Sequence, residues 1–491
     1  MKIKGILIIL ASFLVAGCSL SKTTAPENDA DNTLVVIHTN DTHSHIDPNP
    51  SSGLGGALRR KVLIDSIRSA NPNVLVIDAG DAVQGTLFYH LYKGEVEQLI
   101  LNELDYDIQI LGNHEFDNGV KALKHVLDEA EPTLLSSNYD FSESELADMF
   151  VPYVIKQYGN HRVGVFALNI DPNGMIAEGN YDGIKFLPWK ETVNQTIDIL
   201  RNKNQCDFVI AVTHIGFSYP DESVGLFGDV QVAEQTQGID LIIGAHSHTK
   251  LDTAFVVLNA VGCPVNIVQT GRNGEYLGVT SINLSTDKIS EKLIAVDSSL
   301  DGRRDQQLMQ SLEPYRAGID SLYNNEVATL SGGEPMNKSN GYALQNFTAD
   351  FLSSRGSELA NGVVGAIANS GSLRTTWAPG GISEGAVIDM MPFHNKVVVL
   401  DIKGSDLLEA REIMKYRKDH SVSGVIASGN INPNKIYRIA TVDYLANGGD
   451  YMTPLTRAKH VAESDNLVFE DLLSHFKKNP VIVPDTIQRM K

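Results

Sequence analysis

The chain has 491 residues, of which 42% are hydrophobic and 20% charged, as is typical of a globular protein and not of a disordered, collagen-like or membrane-spanning one. This length predicts two large domains. The formal net charge of −20 excludes general attraction to nucleic-acid polymers, because an acidic surface repels phosphate backbones. Any phosphate site must therefore be local.

The sequence of residues 1–17 has the pattern of a secretory signal peptide, which we predict here. Lys2 and Lys4 precede the apolar run GILIILASFLVA, which is too short to span a bilayer and ends in VAGC. This ending resembles a bacterial lipoprotein box, which implies that Cys18 is lipidated and that the mature chain is exported and anchored to the bacterial cell envelope through lipid. An uncleaved membrane anchor is the alternative. Residues 18–32 have the polar composition of a flexible tether.

From about residue 33, apolar strand-like runs alternate with helical stretches. The order begins with TLVVIHTND, GALRRKVLIDSIRSA, NVLVIDAGD, EVEQLILNEL, IQILGNHE and VKALKHVLDEA. Later strand-like runs are HRVGVFALN, DFVIAVTHIG, IDLIIGAHSHT and VNIVQTG. This alternation predicts a layered α/β domain.

Several of these runs end in residue types that bind metals, in HTNDTHSH, DAGD, GNHE, VTHIG and GAHSH. Ligands of open α/β sheets collect outside the carboxyl ends of the strands, so these endings are expected to converge. Asp41 and His43 are spaced to point to one side of an extended segment, and His246 and His248 repeat that spacing. Asp81 has two oxygens and could bridge two cations about 3.5–4 Å apart.

Two further candidate ligands are the amide oxygen of Asn113 and a ring nitrogen of His214. Imidazole together with carboxylate suits zinc, manganese or cobalt. Two divalent cations against Asp41 and Asp81 would leave a positive local charge that attracts a phosphate dianion and acidifies a bound water. Taken singly, each such histidine is more often a hydrogen-bonded structural residue than a ligand. Only the five strand endings together, in their order along the chain, predict a metal site.

The ordered set D-x-H, G-D, G-N-H-E, T-H and G-x-H-x-H resembles the calcineurin-like metallophosphoesterases, and GNHEFD narrows the resemblance to the bacterial 5′-nucleotidase and UDP-sugar hydrolase branch. The resemblance implies two divalent metal ions. It implies that the first is held by Asp41, His43, Asp81 and His248, with Asp81 shared, and that Asn113, His214 and His246 complete the second.

The same resemblance implies that His114 and Asp117 form a catalytic dyad, in which His114 contacts the phosphoryl oxygen and Asp117 holds its ring. A turn residue ahead of Asn118 and Gly119 is the alternative for Asp117. Glu115 receives no role. Ala245 stands where the family more often has glycine, which is tolerable unless the backbone there needs a positive φ.

Residues 300–326 are polar with apolar residues at helical spacing, which predicts a connecting helix. Residues 327–491 have strand and helix signals of their own and are long enough for a second domain. The resemblance implies a metallophosphoesterase domain at 33–299, joined by this helix to a nucleotidase C-terminal substrate-binding domain at 327–491. The predicted fold is thus a layered α/β domain with a second α/β domain.

The second half carries NSGSLR, MPFHNKVVVLDIKG and DYLANGGDY, each similar to a motif of the nucleotidase C-terminal domain. The resemblance places Phe393 and Tyr444 at the positions that stack on a base. It implies that Asp450 accepts hydrogen bonds from sugar hydroxyls, that Arg374 grips a phosphate, and that Asn369 adds a polar contact. Core packing is the alternative for either aromatic ring.

One position departs from the family pattern. Asn340 stands where the family usually has a second phosphate-gripping arginine, and Lys338 is the nearby cation. Lysine is a point charge and does not form the bidentate fork of arginine, so this departure puts the substrate in doubt more than the hydrolysis.

The resemblance therefore predicts an exported, lipid-anchored dinuclear enzyme that releases phosphate from nucleotides through attack of a metal-bound hydroxide, with a small-molecule substrate and no nucleic-acid polymer as partner. A related sulfur-ester hydrolase and a catalytically inactive nucleotide-binding lipoprotein are the alternatives. The sequence does not choose among nucleoside monophosphates, cyclic nucleotides, UDP-sugars and dinucleotides, nor does it indicate an oligomeric state.

Overall fold

The computed structural model describes residues 32–50, 52–219, 227–337, 342–393 and 395–489. The predicted signal peptide, Cys18 and nearly all of the predicted tether lie outside these residues, as do Lys338 and Asn340. Within the described ranges, none of the helices combines the length and apolar character needed to cross a bilayer.

The first part of the chain, up to about residue 300, contains most of the strands. These are β1 (Thr33–Thr39), β2 (Val74–Asp78), β3 (Ile108–Ile110), β4 (Thr133–Leu135), β5 (Tyr139–Asp140), β6 (Tyr153–Tyr158), β7 (His161–Asn169), β8 (Lys185–Phe186), β9 (Phe208–His214), β10 (Leu241–Ile243), β11 (Phe255–Leu258), β12 (Pro264–Val268), β13 (Tyr276–Asn283) and β14 (Lys288–Ala295). The helices between them are α1 (Ala57–Ala70), α2 (Leu87–Tyr92), α3 (Glu95–Glu103), α4 (Gly119–Leu127), α5 (Trp189–Ile197) and α6 (Asp229–Gln235).

Two six-stranded sheets form the core of this part. One runs in the order β14-β13-β1-β2-β3-β4 and the other in the order β11-β12-β10-β9-β7-β6. Alternate residues of β1, Leu34 and Val36, belong to the same buried apolar cluster as Ile210 of β9 and Ile243 of β10, so the two sheets pack face to face. The predicted layered α/β architecture is confirmed.

The second part begins with a long helix, α7 (Gln306–Asn324), which the sequence predicts within residues 300–326. The side chain of Asp305 caps its first turn by accepting a hydrogen bond from Leu308 N at 2.8 Å. Leu308, Leu312 and Ile319 repeat at helical spacing and are buried. Helix α7 also contacts the first part, where Tyr92 Oη donates to Tyr315 O at 2.8 Å.

The remaining elements form a second α/β unit. Its strands are β15 (Glu326–Leu330), β16 (Val363–Asn369), β17 (Gly380–Ser383), β18 (Lys396–Lys403), β19 (His420–Val422), β20 (Ile436–Val442), β21 (Lys459–Leu467) and β22 (Val481–Ile482). Its helices are α8 (Ala343–Leu359), α9 (Glu384–Met390), α10 (Gly404–Arg417), α11 (Gly424–Ser428), α12 (Asp443–Ala446), α13 (Thr453–Thr456) and α14 (Val468–Phe476).

A five-stranded sheet, β19-β16-β20-β18-β21, and a three-stranded sheet, β17-β15-β22, organise this unit. Helix α8 packs closely on the larger sheet at Gly356, where a methyl group would lie only 2.5 Å from the Cβ of Ala440. The molecule thus has two α/β parts joined through α7, as the sequence predicts.

Candidate metal centre and substrate cleft

The metal-binding residue types predicted from the sequence lie at one edge of the sheet sandwich. Strands β1, β2 and β3 are parallel neighbours in one sheet, and β9 and β10 are parallel neighbours in the other. Their carboxyl ends therefore meet at the same edge. Two groups of donor atoms form there, Asp41 with His43 and His248, and Asp81 with His214 and His246, and within each group the donor atoms lie within 4.8 Å of one another.

In the first group, His43 Nε2 and His248 Nε2 lie 2.9 Å apart, and Asp41 Oδ1 is 3.5 Å from His248 Nε2. His43 Nδ1 donates to Val83 O at 3.3 Å, which leaves the lone pair of Nε2 facing the group. The other carboxylate oxygen of Asp41, Oδ2, accepts from the backbone N–H of His246 at 3.0 Å. This hydrogen bond links the first group to the second.

In the second group, His214 Nε2 is 3.1 Å from Asp81 Oδ2, while His214 Nδ1 donates to Ala79 O at 2.9 Å. Asn113 Oδ1 lies 2.9 Å from His246 Nδ1, so its side chain joins this group. Asp81 Oδ1 accepts the backbone N–H of His114 at 2.9 Å. The structure therefore brings all the sequence-predicted ligands together.

The residues present fit divalent cations. Asp41 Oδ1 is buried and has no hydrogen-bond partner among the described residues, with His248 Nε2 3.5 Å away, which is costly unless another group binds it. Burial and then the Arg374 charge hold the pKa of His43 well below its ordinary value, and burial lowers the pKa of His246 to about 3. Both rings are therefore neutral near pH 7, and the neutral form of histidine is the one that binds metal. Burial lowers the pKa of His214, but the charge of Asp81 outweighs burial and raises it to about 10, so a cation bound at His214 would displace a proton.

The backbone at this edge adopts an uncommon conformation. Positive φ angles occur at Asp41 (50°), His43 (47°), Asp81 (53°), His246 (73°) and His248 (54°). Each such angle strains a non-glycine residue by roughly 1 kcal/mol or more, and strain of this kind clusters at functional sites. Ala245, in contrast, has no positive φ, so its methyl group is accommodated.

Two glycines in these loops leave no room for a side chain. A methyl group at Gly112 would lie 2.2 Å from Asp81 Oδ1, and one at Gly244 would lie 2.0 Å from Asp229 Oδ2. Close packing therefore requires glycine at both positions, against the proposed ligand Asp81 at Gly112 and against Asp229 at Gly244.

Glu115, which the sequence left without a role, holds two of the loops together. Its carboxylate accepts backbone N–H groups from Asp81 at 3.1 Å, Ala82 at 2.9 Å and Gly112 at 2.6 Å. These donors belong to the loops after β2 and β3. Glu115 therefore fixes the position of Asp81 relative to Asn113.

His114 and Asp117 have the geometry of a dyad. His114 Nδ1 lies 3.0 Å from Asp117 Oδ2, and the His114 ring centroid is 5.4 Å from that of His43. Burial lowers the pKa of His114, but the charges of Asp117 and Asp81 outweigh burial and raise it above its ordinary value. The ring can therefore carry a proton beside the donor groups.

Two family models match the chain in succession. The calcineurin-like phosphoesterase model matches residues 34–250, and the 5′-nucleotidase C-terminal domain model matches residues 326–429. The chain therefore combines a calcineurin-like phosphoesterase domain with a 5′-nucleotidase C-terminal domain. It is thus a metal-dependent phosphoric ester hydrolase.

Known proteins align with the chain across both of its parts. The chain is 27% identical to the trifunctional nucleotide phosphoesterase protein YfkN of Bacillus subtilis over 91% of its own length, but it spans only 34% of that protein. It is 25% identical to human 5′-nucleotidase, covering 93% of this chain and 90% of the relative. The solved structure of a 5′-nucleotidase precursor from Thermus thermophilus has the same fold, with a TM-score of 0.81, 24% identity and coverage of 93% and 98% of the two chains.

Two side chains from the C-terminal part of this phosphoesterase, those of Arg374 and Phe393, lie beside the donor groups. The guanidinium of Arg374 lies against the His43 ring, with Nη2 at 3.2 Å from Nε2. The Phe393 ring centroid is 5.9 Å from that of His114 and 5.7 Å from the Arg374 guanidinium. Arg374 and Phe393 therefore border the donor groups directly.

Three other predicted substrate residues form a separate hydrogen-bonded group. Asn369 Nδ2 donates to Asp450 Oδ2 at 2.7 Å, and the backbone N–H of Asp450 donates to Tyr444 Oη at 3.2 Å. Arg417 Nη2 lies 3.5 Å from Asp450 Oδ1. Sequence reasoning missed Arg417 because no motif surrounds it.

Proposed function

We propose that this phosphoesterase is an exported enzyme that releases phosphate from nucleotides at a centre of two divalent cations. The observation that carries the proposal is the pair of buried donor groups at one edge of the sandwich, bordered by Arg374 and Phe393 from the C-terminal part. Nucleotide specificity is supported by the match to the 5′-nucleotidase C-terminal model and by the relatives that carry that name.

The assignment of ligands follows the two donor groups. Asp41, His43 and His248 would hold one cation, and His214, His246 and Asn113 the other, with Asp81 shared between them. The mixture of imidazole and carboxylate donors favours zinc, manganese or cobalt. Two such cations, when bound, supply positive charge that attracts a phosphate dianion and lowers the pKa of a bound water.

The remaining chemistry is assigned to side chains of the chain itself. With Nδ1 held by Asp117, the Nε2 of His114 is free to donate to a phosphoryl oxygen as negative charge develops there. Arg374 is half-buried beside His43, and its planar guanidinium can donate two parallel hydrogen bonds to the same phosphate. Together they orient the phosphoryl group for attack by water.

Recognition of the nucleoside is assigned to Phe393, Tyr444, Asp450 and Asn369. The two rings would stack on the base, and Asp450, oriented by Asn369, would accept hydrogen bonds from ribose hydroxyls. The Tyr444 ring packs on Gly449, where a methyl group would lie 2.4 Å from Tyr444 Cζ, so a base would stack on the opposite face of that ring.

A double variant, Phe393→Ala with Tyr444→Ala, tests the nucleotide assignment. Each stacked ring contributes about 1–3 kcal/mol, so the ratio of kcat/KM for a nucleoside 5′-monophosphate to kcat/KM for p-nitrophenyl phosphate should fall by the equivalent of about 2–6 kcal/mol. Steady-state kinetics on both substrates measures this ratio. An unchanged ratio would show that the rings support the fold alone, and a wild type without activity on a broad nucleotide panel would contradict the proposed substrate class.

Export and lipid anchoring are proposed from the N-terminal sequence and lie outside the described residues. A lipidated Cys18 predicts that the wild type partitions with membranes, whereas Cys18→Ser does not, because a lipoprotein cysteine supplies the several acyl chains that stable attachment needs. Membrane fractionation with mass spectrometry of the mature N-terminus measures this. An unmodified Cys18 in membrane-bound protein would contradict the assignment.

A further inference from the structure

A large cavity opens beside the first donor group. Its volume is about 530 Å³, and its walls include Ser44 and His45, which directly follow His43 in sequence, together with Arg374 and Arg272. Neither Phe393 nor Tyr444 lines it. The cavity is therefore separate from the proposed nucleoside contacts, although it shares Arg374 with the phosphoryl site.

Arg272 in the cavity wall is available for a ligand, whereas the acids in the wall are already engaged. Arg272 is exposed and makes no ion pair or hydrogen bond through its side chain within the described ranges. In the same wall, Asp47 forms a bidentate ion pair with Arg316, at 2.7 and 3.0 Å. Asp389 accepts hydrogen bonds from Leu87 N and from Tyr323 Oη.

The backbone around Arg272 is fixed to the proposed metal centre. The adjacent Asn273 N–H donates to Asp41 O at 2.7 Å, and Asn40 Nδ2 donates to Gly271 O at 2.8 Å. Arg374 lines the same cavity as Arg272 and also contacts the His43 ring, with Nη2 at 3.2 Å from Nε2. The cavity therefore adjoins the donor groups at which the reacting phosphoryl group is proposed to bind.

We propose that this cavity is a second anion subsite, which binds a phosphate-class group in addition to the reacting phosphoryl group, and that Arg272 is the residue that selects for it. The anion is either a second phosphoryl group of the substrate or released inorganic phosphate. Arginine suits this role because its planar guanidinium donates two parallel hydrogen bonds to phosphate oxygens. The inference rests on the proposed cation site but not on the nucleotide specificity.

The test uses two inhibitors of p-nitrophenyl phosphate hydrolysis, inorganic phosphate and the non-hydrolysable methylenediphosphonate, which has two linked phosphoryl groups. If one group binds at the cations and the other in the cavity, Arg272→Gln should weaken inhibition by the diphosphonate about tenfold more than it weakens competitive inhibition by phosphate. Arg303→Gln is the matched control, because Arg303 is also exposed but lies outside the cavity. Any loss of metal to the diphosphonate affects both variants equally.

The pattern of inhibition distinguishes the two sources of the anion. If Arg272→Gln loses inhibition by the diphosphonate but keeps inhibition by phosphate, the subsite binds a second phosphoryl group of the substrate. A non-competitive component of phosphate inhibition that disappears in Arg272→Gln assigns it to released phosphate. If Arg272→Gln matches Arg303→Gln for both inhibitors, the subsite does not exist, whatever nucleotides the enzyme hydrolyses. If the wild type does not hydrolyse p-nitrophenyl phosphate, calorimetric titration with methylenediphosphonate compares the same variants.

Discussion

Asp81 is the residue on which the proposed metal centre depends most. Its Oδ2 faces His214, its Oδ1 accepts the N–H of His114, and its own N–H is held by Glu115. Burial alone would raise the pKa of Asp81, but the charges of His214 and His114 outweigh burial and lower it well below the ordinary value. The side chain is thus an anion with both oxygens directed by neighbours.

Asp81→Asn should lower metal content and hydrolysis together. The amide has the same shape but no charge, and only one of its two terminal atoms can bind a cation, so a shared position is lost. Elemental analysis of the purified protein and kcat on p-nitrophenyl phosphate measure the two effects. Asp252→Asn, at an exposed position paired with Lys250, is the control. Full metal content in Asp81→Asn would rule out the two-cation assignment.

At the scale of elements, the strand endings were predictable because they are local. An apolar run followed directly by polar metal-binding residues appears in the sequence itself, and the parallel sheet order brings those endings to one edge. Helix α7 was predictable for the same reason, since Leu308, Leu312 and Ile319 repeat at helical spacing. Its predicted limits of 300–326 were wider than Gln306–Asn324 because a separate 3₁₀ helix, Ser298–Arg303, precedes it.

Other contacts between elements distant in sequence, which no motif marks, were not predictable. Glu115 receives N–H groups from the loop at Asp81 and Ala82, and backbone groups leave no residue-type signal in a sequence. Arg374 meets His43 across 331 positions, and only the packing of the two parts creates that contact. The cavity at Arg272 likewise arises from the junction of the two parts. The catalytic roles of the individual residues stay predictions.

At the scale of the whole molecule, Asp389 of α9 joins three regions. It accepts the N–H of Leu87 at the start of α2 at 2.9 Å, and it accepts a hydrogen bond from Tyr323 Oη of α7. Burial raises the pKa of Asp389 to about 7. Because an unfolded aspartate has a pKa of about 3.9, the folded state binds this proton more tightly. The resulting stabilisation is complete below about pH 4 and is lost as the pH rises through about 7.

Asp389→Asn should remove this part of the pH dependence. Between about pH 4 and pH 7, the free energy of unfolding of the variant should rise relative to that of the wild type by about 1–3 kcal/mol, since asparagine has no proton to lose. Chemical denaturation at several pH values measures the difference. The free energy of unfolding of the control Asp252→Asn should depend on pH in the same way as that of the wild type. A parallel curve for Asp389→Asn would show that this carboxyl group does not titrate in that range.

Each donor group takes side chains from both sheets of the sandwich. Asp41 and His43 follow a strand of one sheet and His248 a strand of the other, and Asp81 faces His214 and His246 in the same way. A chain that has formed only one sheet has neither complete group. Binding of a metal ion at either proposed site would therefore require that the two sheets have already packed together in the correct register, before any substrate binds.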